Sequence, residues 1–244
     1  MVTTRRQLAF RFRIWGGARK GAGRPPKGEA AGVSHLRRPA LCRRHPAHVT
    51  LRVVAGLPSL RGVLFGKVRD ALAEGQERFG FRLVHFSVQS NHVHLIVEAG
   101  DRRSLSRGMQ GLSIRVARAV NGQLARRGRV FADRYHARAL KTPRAAYFAV
   151  RYVLLNARKH QRTIRPPRES TESELPTGFV DVCSSAPWFD GFARPAELAF
   201  GAESARQRWR ARSEREAPVV LARTWLLRWG MRRYVAFDVD DAPA

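Results

Sequence analysis

The sequence predicts an α+β fold: a ferredoxin-like antiparallel sheet with helices on one face and one further helix. Three observations carry the prediction. Strand-like and helix-like segments follow one another in the order β-α-β-β-α-β-α between residue 48 and about residue 160. Two central strands, 83–88 and 92–97, are separated only by Gln89-Ser90-Asn91, a connection short and polar enough for an antiparallel hairpin. The 244 residues are 44% hydrophobic, enough for a real core.

The first strand begins at residue 48, where Val49, Leu51 and Val53 alternate with more polar neighbours, the period-two pattern of a half-buried strand. Pro58-Ser59 then opens a helix in which Leu60, Leu64, Val68 and Leu72 recur every four residues until Gly80 ends it. The hairpin strands come next. A second helix over about 104–126 carries one apolar stripe (Leu105, Met109, Leu112, Val116, Val120), while Arg102, Arg103, Arg107, Arg115 and Arg118 give it basic faces. The stripe reads as core packing. A fourth strand lies within 130–140, and Thr142-Pro143 is an N-cap and first-turn pair for a third helix reaching about His160.

Composition divides the chain into a flexible basic arm over 1–46, a folded core over 47–160 and an extension over 161–244 packed on that core. The arm is dominated by Arg, Gly and Pro and cannot bury enough apolar surface to offset its chain entropy. Its Gly23-Arg24-Pro25 resembles the minor-groove hook of AT-rich DNA binders, although a plain disordered tail is the commoner reading of such a stretch. In the extension, Arg165-Pro166-Pro167 interrupts structure and 168–200 is loop-like, with apolar anchors at Trp188, Phe189, Phe192 and Phe200. Helical signal returns near 203–214 and 219–234. Cys42 and Cys183 lack metal-type spacing and read as unpaired thiols.

Charge narrows the partner. There are 46 Lys plus Arg against 19 Asp plus Glu, a net charge of +27, which makes a polyanion the default expectation. Arginine outweighs lysine, and its planar fork matches phosphate oxygens and stacks on bases, so nucleic acid leads. Membrane binding is the weaker reading: no long apolar run spans a bilayer and the N-terminus has no secretory pattern, so a cytoplasmic protein is expected.

The chemistry concentrates in two segments. On a strand, residues i and i+2 point to one face, so His92 and His94 converge while Val93 enters the core. A lone His-x-His strand is more often incidental than metallic, and a third group is needed. The third helix offers one: Phe148, Tyr152 and Asn156 recur along one face, with a phenol beside an amide. Tyr147 lies about 140° round the same helix and is the structural tyrosine. A metal site beside a tyrosine nucleophile is the equipment for cutting a nucleic-acid strand. Glu98 shares the strand parity of the histidines but sits roughly 13 Å beyond His94, too far for a ligand. His85 is either an outer partner of the site or, more commonly for such a residue, a hydrogen-bonded core histidine.

His92-Val93-His94 preceded by Asn91, Phe131-Ala132-Asp133-Arg134-Tyr135, and Tyr152-Val153-Leu154-Leu155-Asn156-Ala157-Arg158-Lys159 together resemble the single-tyrosine HUH transposases, the insertion sequence 200-like family. The REP-associated tyrosine transposases are the group most similar. The resemblance covers about 47–160, nearly half the chain. It implies a catalytic domain that cleaves and rejoins single-stranded DNA beside a hairpin, with a divalent cation, Mg²⁺ or Mn²⁺. It also implies that His92, His94 and Asn156 hold the metal, that Tyr152 is the nucleophile, and that the protein is a monomer or a homodimer sharing tyrosine helices. Many relatives have Met-Pro before the Asn-His segment where this chain has Gln89-Ser90, a local change in the turn.

Around those residues, Arg134, Arg138, Arg151, Arg158 and Lys159 are candidate phosphate contacts, each equally readable as a solvated charge. Tyr135 and His136 are candidates for stacking along the DNA path, with Tyr135 as strand core the equal alternative. The expected function is thus a metal-dependent tyrosine transposase acting through a 5′-phosphotyrosine. The alternative is a catalytically silent DNA-binding regulator derived from one.

Overall fold

A computed structural model describes residues 40–159, 179–193 and 217–241, all within the compact unit His35–Ala244. Residues 1–39 of the basic arm, the Arg165-Pro166-Pro167 break, Phe200 and the helix expected at 203–214 lie outside the described residues.

The elements are β1 (Ala47–Arg52), α1 (Phe65–Glu74), β2 (Glu77–Arg78), β3 (Phe81–Val88), β4 (His92–Ala99), α2 (Arg102–Gln123), β5 (His136–Ala139), α3 (Pro143–Leu154) and α4 (Asn156–Lys159). Every paired strand is antiparallel, in the spatial order β2-β3-β4-β1-β5. This is the ferredoxin-like arrangement, with the two-residue β2 added at one edge.

Strand alternation sorts the residues onto two faces. Val49, Leu51, Val93, Leu95 and Val97 form one core with Val68 and Leu72 of α1 and the Leu105-Met109-Leu112-Val116-Val120 stripe of α2. Ile96 and Val84 look the other way, onto Ala146, Tyr147, Val150 and Val153 of α3. One helix is too narrow for a five-stranded face, and Leu226, Leu227, Met231 and Phe237 of the extension fill the remainder. A bulge between Leu83 and His85 turns two successive residues to this second side, where His85 meets the Phe189 ring at 5.4 Å.

The extension is fastened by polar bonds as well. Arg61 donates to both carboxylate oxygens of buried Asp181, at 3.0 and 2.6 Å, and to the Val88 carbonyl at 2.8 Å. Beyond β2, the outer edge of β3 is taken by the extension: the Val88 amide donates to the Cys183 carbonyl, Ser185 to Phe86 and Val220 to Leu83. An open strand edge is a template for unwanted pairing, and these bonds close it.

Some elements depart from expectation. The first helix starts at Phe65, not at Pro58-Ser59, because Leu60 gives its amide to the Ser90 carbonyl and Arg61 is drawn to Asp181. It ends at Gly75, not Gly80, since Phe79 and Gly80 both take positive φ (52° and 73°) and turn β2 back into β3 as a tight hairpin. The expected helix over 219–234 is only a π-helical turn, Leu226–Gly230, and a 3₁₀ turn, Met231–Arg233, because the amides before them go elsewhere, Val220 to the Leu83 carbonyl and Arg223 and Thr224 to the Glu98 carboxylate. Thr142 caps α3 as expected, accepting from the Ala145 amide, with Pro143 in the first turn.

Candidate active site

The register of the central strands builds the site. Across the face beneath α3, Ser87, His94, Thr50 and His136 stand in one row from β3 to β5, and His92 stands opposite Arg52. His94 is buried at 6% exposure, and its Nδ1 lies 3.2 Å from both Thr50 Oγ1 and His48 Nε2. His92 Nδ1 lies 2.7 Å from Asn91 Oδ1. A carboxamide oxygen only accepts, so in this contact His92 donates from Nδ1. The two ring centroids are 4.7 Å apart.

Near its C-terminal end, α3 brings Tyr152 edge-on to His94, centroids 5.2 Å apart at 83°, and 5.8 Å from His48. Burial pushes the Tyr152 phenol above its ordinary pKa, and the nearby Asn156 amide pulls partly back. At neutral pH the hydroxyl is therefore protonated. The helix breaks at Leu155, so Asn156 opens α4 instead of continuing the face of α3. Asn156 is fully buried, and its carboxamide is the hydrogen-bond partner that pulls the Tyr152 phenol partly back. His48 is held near pKa 4 by burial first, then by His136 and Arg138, and is neutral at physiological pH.

Among the described residues, no three His, Cys, Asp or Glu side chains cluster as a metal site. The set available here is two imidazoles and an amide.

The other sequence candidates scatter. Arg138 is exposed on β5, opposite His48. Arg134 is half-buried, its amide donating to the Asp133 carboxylate. Arg151 faces Asp241 of the extension at 3.5 Å, so this cation is already partnered. Tyr135 requires a correction: at 7% exposure it belongs to the core under α1 and α2, on the side of the sheet away from Tyr152. The chain just before β5 turns its ring inward, and the core alternative holds. The side chains of Arg158 and Lys159 lie outside the described residues. His85 is likewise a core histidine, brought to about pKa 4 by burial. Glu98 is buried and engaged elsewhere, accepting from the amides of Arg223 and Thr224. His48 and Thr50 were missed by sequence reasoning. The signal was present, since they flank Val49, on the opposite parity to the apolar Val49 and Leu51, on a strand that the hairpin must pair with.

Residues 45–153 match the model of the family described as "Transposase IS200 like". Among solved structures, the REP-associated tyrosine transposase bound to a REP hairpin is similar at 16% identity and a TM-score of 0.45, covering 52% of this chain and 74% of that one. No curated protein matches.

Proposed function

From a core that carries the IS200-like transposase pattern over residues 45–153, we propose that this protein is a single-stranded DNA endonuclease and strand transferase acting beside hairpin DNA. The observation that carries the proposal is the placement of the Tyr152 phenol against His94, with His92 4.7 Å from the latter, on a face where Arg52, Arg138 and His136 look outward. In this reading 47–160 is the catalytic domain and 161–244 the extension that completes its second core.

The chemistry runs through the residues themselves. Tyr152 Oη attacks the scissile phosphorus, forming a phosphotyrosine to the 5′ side while the bond to the 3′ oxygen breaks. The phenolic proton leaves Tyr152 and the departing 3′ oxygen ends as a hydroxyl. The bond energy stays in the ester, so rejoining needs no outside source. Because burial raises the phenol's pKa, the proton must be removed during attack and not beforehand. Neutral His48, 5.8 Å from the tyrosine ring, and Thr50 hold His94 at Nδ1, so its Nε2 is the nitrogen turned to other work.

The donor types fit a divalent cation: the His92 and His94 imidazoles, each with Nδ1 in a hydrogen bond, and the buried Asn156 amide beside the Tyr152 hydroxyl. Mixed nitrogen and oxygen donors suit Mn²⁺ or Mg²⁺ when phosphate oxygens complete the shell. When bound, the ion would supply positive charge for the phosphate.

The test is a denaturant-stable adduct. Protein with Mn²⁺ is incubated with labelled single-stranded DNA from the flanks of its own locus and resolved under denaturing conditions. An adduct that disappears in Tyr152→Phe, while hairpin affinity persists, establishes the nucleophile. Hairpin binding without adduct across divalent metals moves the reading to a silent DNA-binding regulator.

A further inference from the structure

At the other end of the same sheet, the chain before β1, the start of β3, the end of β4 and Lys141, two residues past β5, line an open pocket of about 610 Å³. Arg43, Arg44, Lys141, Arg223 and Trp225 line it. The carboxylate in its wall is already spent: Glu98 is 4% exposed, accepts from the amides of Arg223 and Thr224 at 2.7–3.0 Å, and meets Arg82 at 3.4 Å. Arg43, Arg44 and Lys141 are exposed, and Arg223 is 71% exposed, sharing Glu77 at 3.3 Å. The pocket is therefore cationic on balance.

It also has a stacking surface. Trp225 is 49% exposed with the Arg233 guanidinium 5.2 Å from its ring, and Trp229 follows, 55% exposed beneath Arg228. Indoles interleaved with arginines are what a groove for unpaired nucleotides requires, since every base offers a π-face and every linkage a phosphate. Glu98 shares strand parity with His94 and lies four residues, roughly 13 Å, further along β4. Lys141 in its lining stands two residues before α3, whose other end carries Tyr152. Trp225 and Arg223 lie beyond residue 153, where the family match ends.

We propose that this pocket is a second DNA subsite, which takes an unpaired segment of the substrate strand. A base stacks on Trp225 and the neighbouring phosphates meet Arg43, Arg44, Lys141 and Arg223. The subsite rests on the reading of the chain as a single-strand DNA enzyme, and it anchors the strand away from the scissile phosphate.

The test uses the full chain and fluorescein-labelled oligothymidylate, with adduct formation on flanking DNA scored in parallel. Trp225→Ala is expected to weaken oligothymidylate binding at least about fivefold, with Trp225→Phe restoring most of it. Lys141→Glu, at an exposed position, is expected to reduce the slope of log affinity against log salt by about 0.7 or more. Affinity and salt slope equal to wild type in both variants would overturn the subsite, as would oligoglutamate competing as well as the oligonucleotide. The two readings separate cleanly. An adduct from wild type with pocket variants that bind normally sinks the subsite alone; no adduct from wild type, with binding still lost in the variants, sinks strand transfer and leaves the subsite standing.

Discussion

Arg61→Ala removes one partner of a buried ion pair and leaves the other in place. Asp181 has a side chain 1% exposed and accepts two bonds from Arg61, at 2.6 and 3.0 Å, and one from the Cys183 amide at 3.0 Å. Without the guanidinium a carboxylate is stranded in the interior, and the Val88 carbonyl loses a donor. Breaking a buried pair in this way costs about 3–5 kcal/mol. For a domain of this size each kcal/mol moves Tm by roughly 2–4 °C, so the transition should fall by roughly 6–20 °C. The assay is thermal and urea unfolding of Arg61→Ala, Asp181→Ala and the double variant. Much of the loss should return in the double variant, because no unpaired charge remains. A loss below about 1 kcal/mol in Arg61→Ala, or strictly additive single costs, would refute the argument that this pair is desolvated and coupled.

Gly108 lies on α2 where a Cβ would come within 2.1 Å of the fully buried Phe81 ring, so Gly108→Ala should destabilise by about 1–3 kcal/mol despite the helical gain of alanine. A urea midpoint at or above wild type would show that the α2–β3 approach is looser than this. His85 gives a pH dependence of definite sign. Burial lowers its folded pKa to about 4 from 6.5, so the fold excludes the proton; its contribution is intact above pH 6.5 and is lost progressively as pH falls toward 4, by at most roughly 3 kcal/mol. His85→Gln should flatten the acid limb of the stability–pH curve between those values, and an unchanged limb would remove His85 as the cause.

Periodicity located the hairpin, the stripe of α2 and the capped start of α3, because each depends on contacts close in sequence. The same two rules put His92 beside His94 and Tyr152 near Asn156. What escaped was set by distant partners. The segment 58–64 has helical spacing, yet Leu60 and Arg61 are held by Ser90, Val88 and Asp181, and such bonds leave no local pattern. Phe79 at positive φ is a residue that turn chemistry disfavours there. Tyr135 follows an aspartate and an arginine, a polar context that gives no hint of its burial, and its inward turn depends on where α1 and α2 lie. His48 became part of the site only through the pairing of β1 with β4, which places it opposite Ile96 and within reach of His94.

The late closure of the β3 edge has a consequence for synthesis. The strand is finished at Val88, but the carbonyl that bonds its last amide belongs to Cys183, and the amide that bonds Leu83 belongs to Val220. At ribosomal rates of 5–20 residues per second, the chain from Val88 to Val220 takes roughly 7–26 s to appear. During that interval the nascent sheet presents a bare, apolar edge to its neighbours on the same message. Crowded translation should therefore tax this protein through misassembly of half-made chains, and slower initiation should raise the yield of folded product.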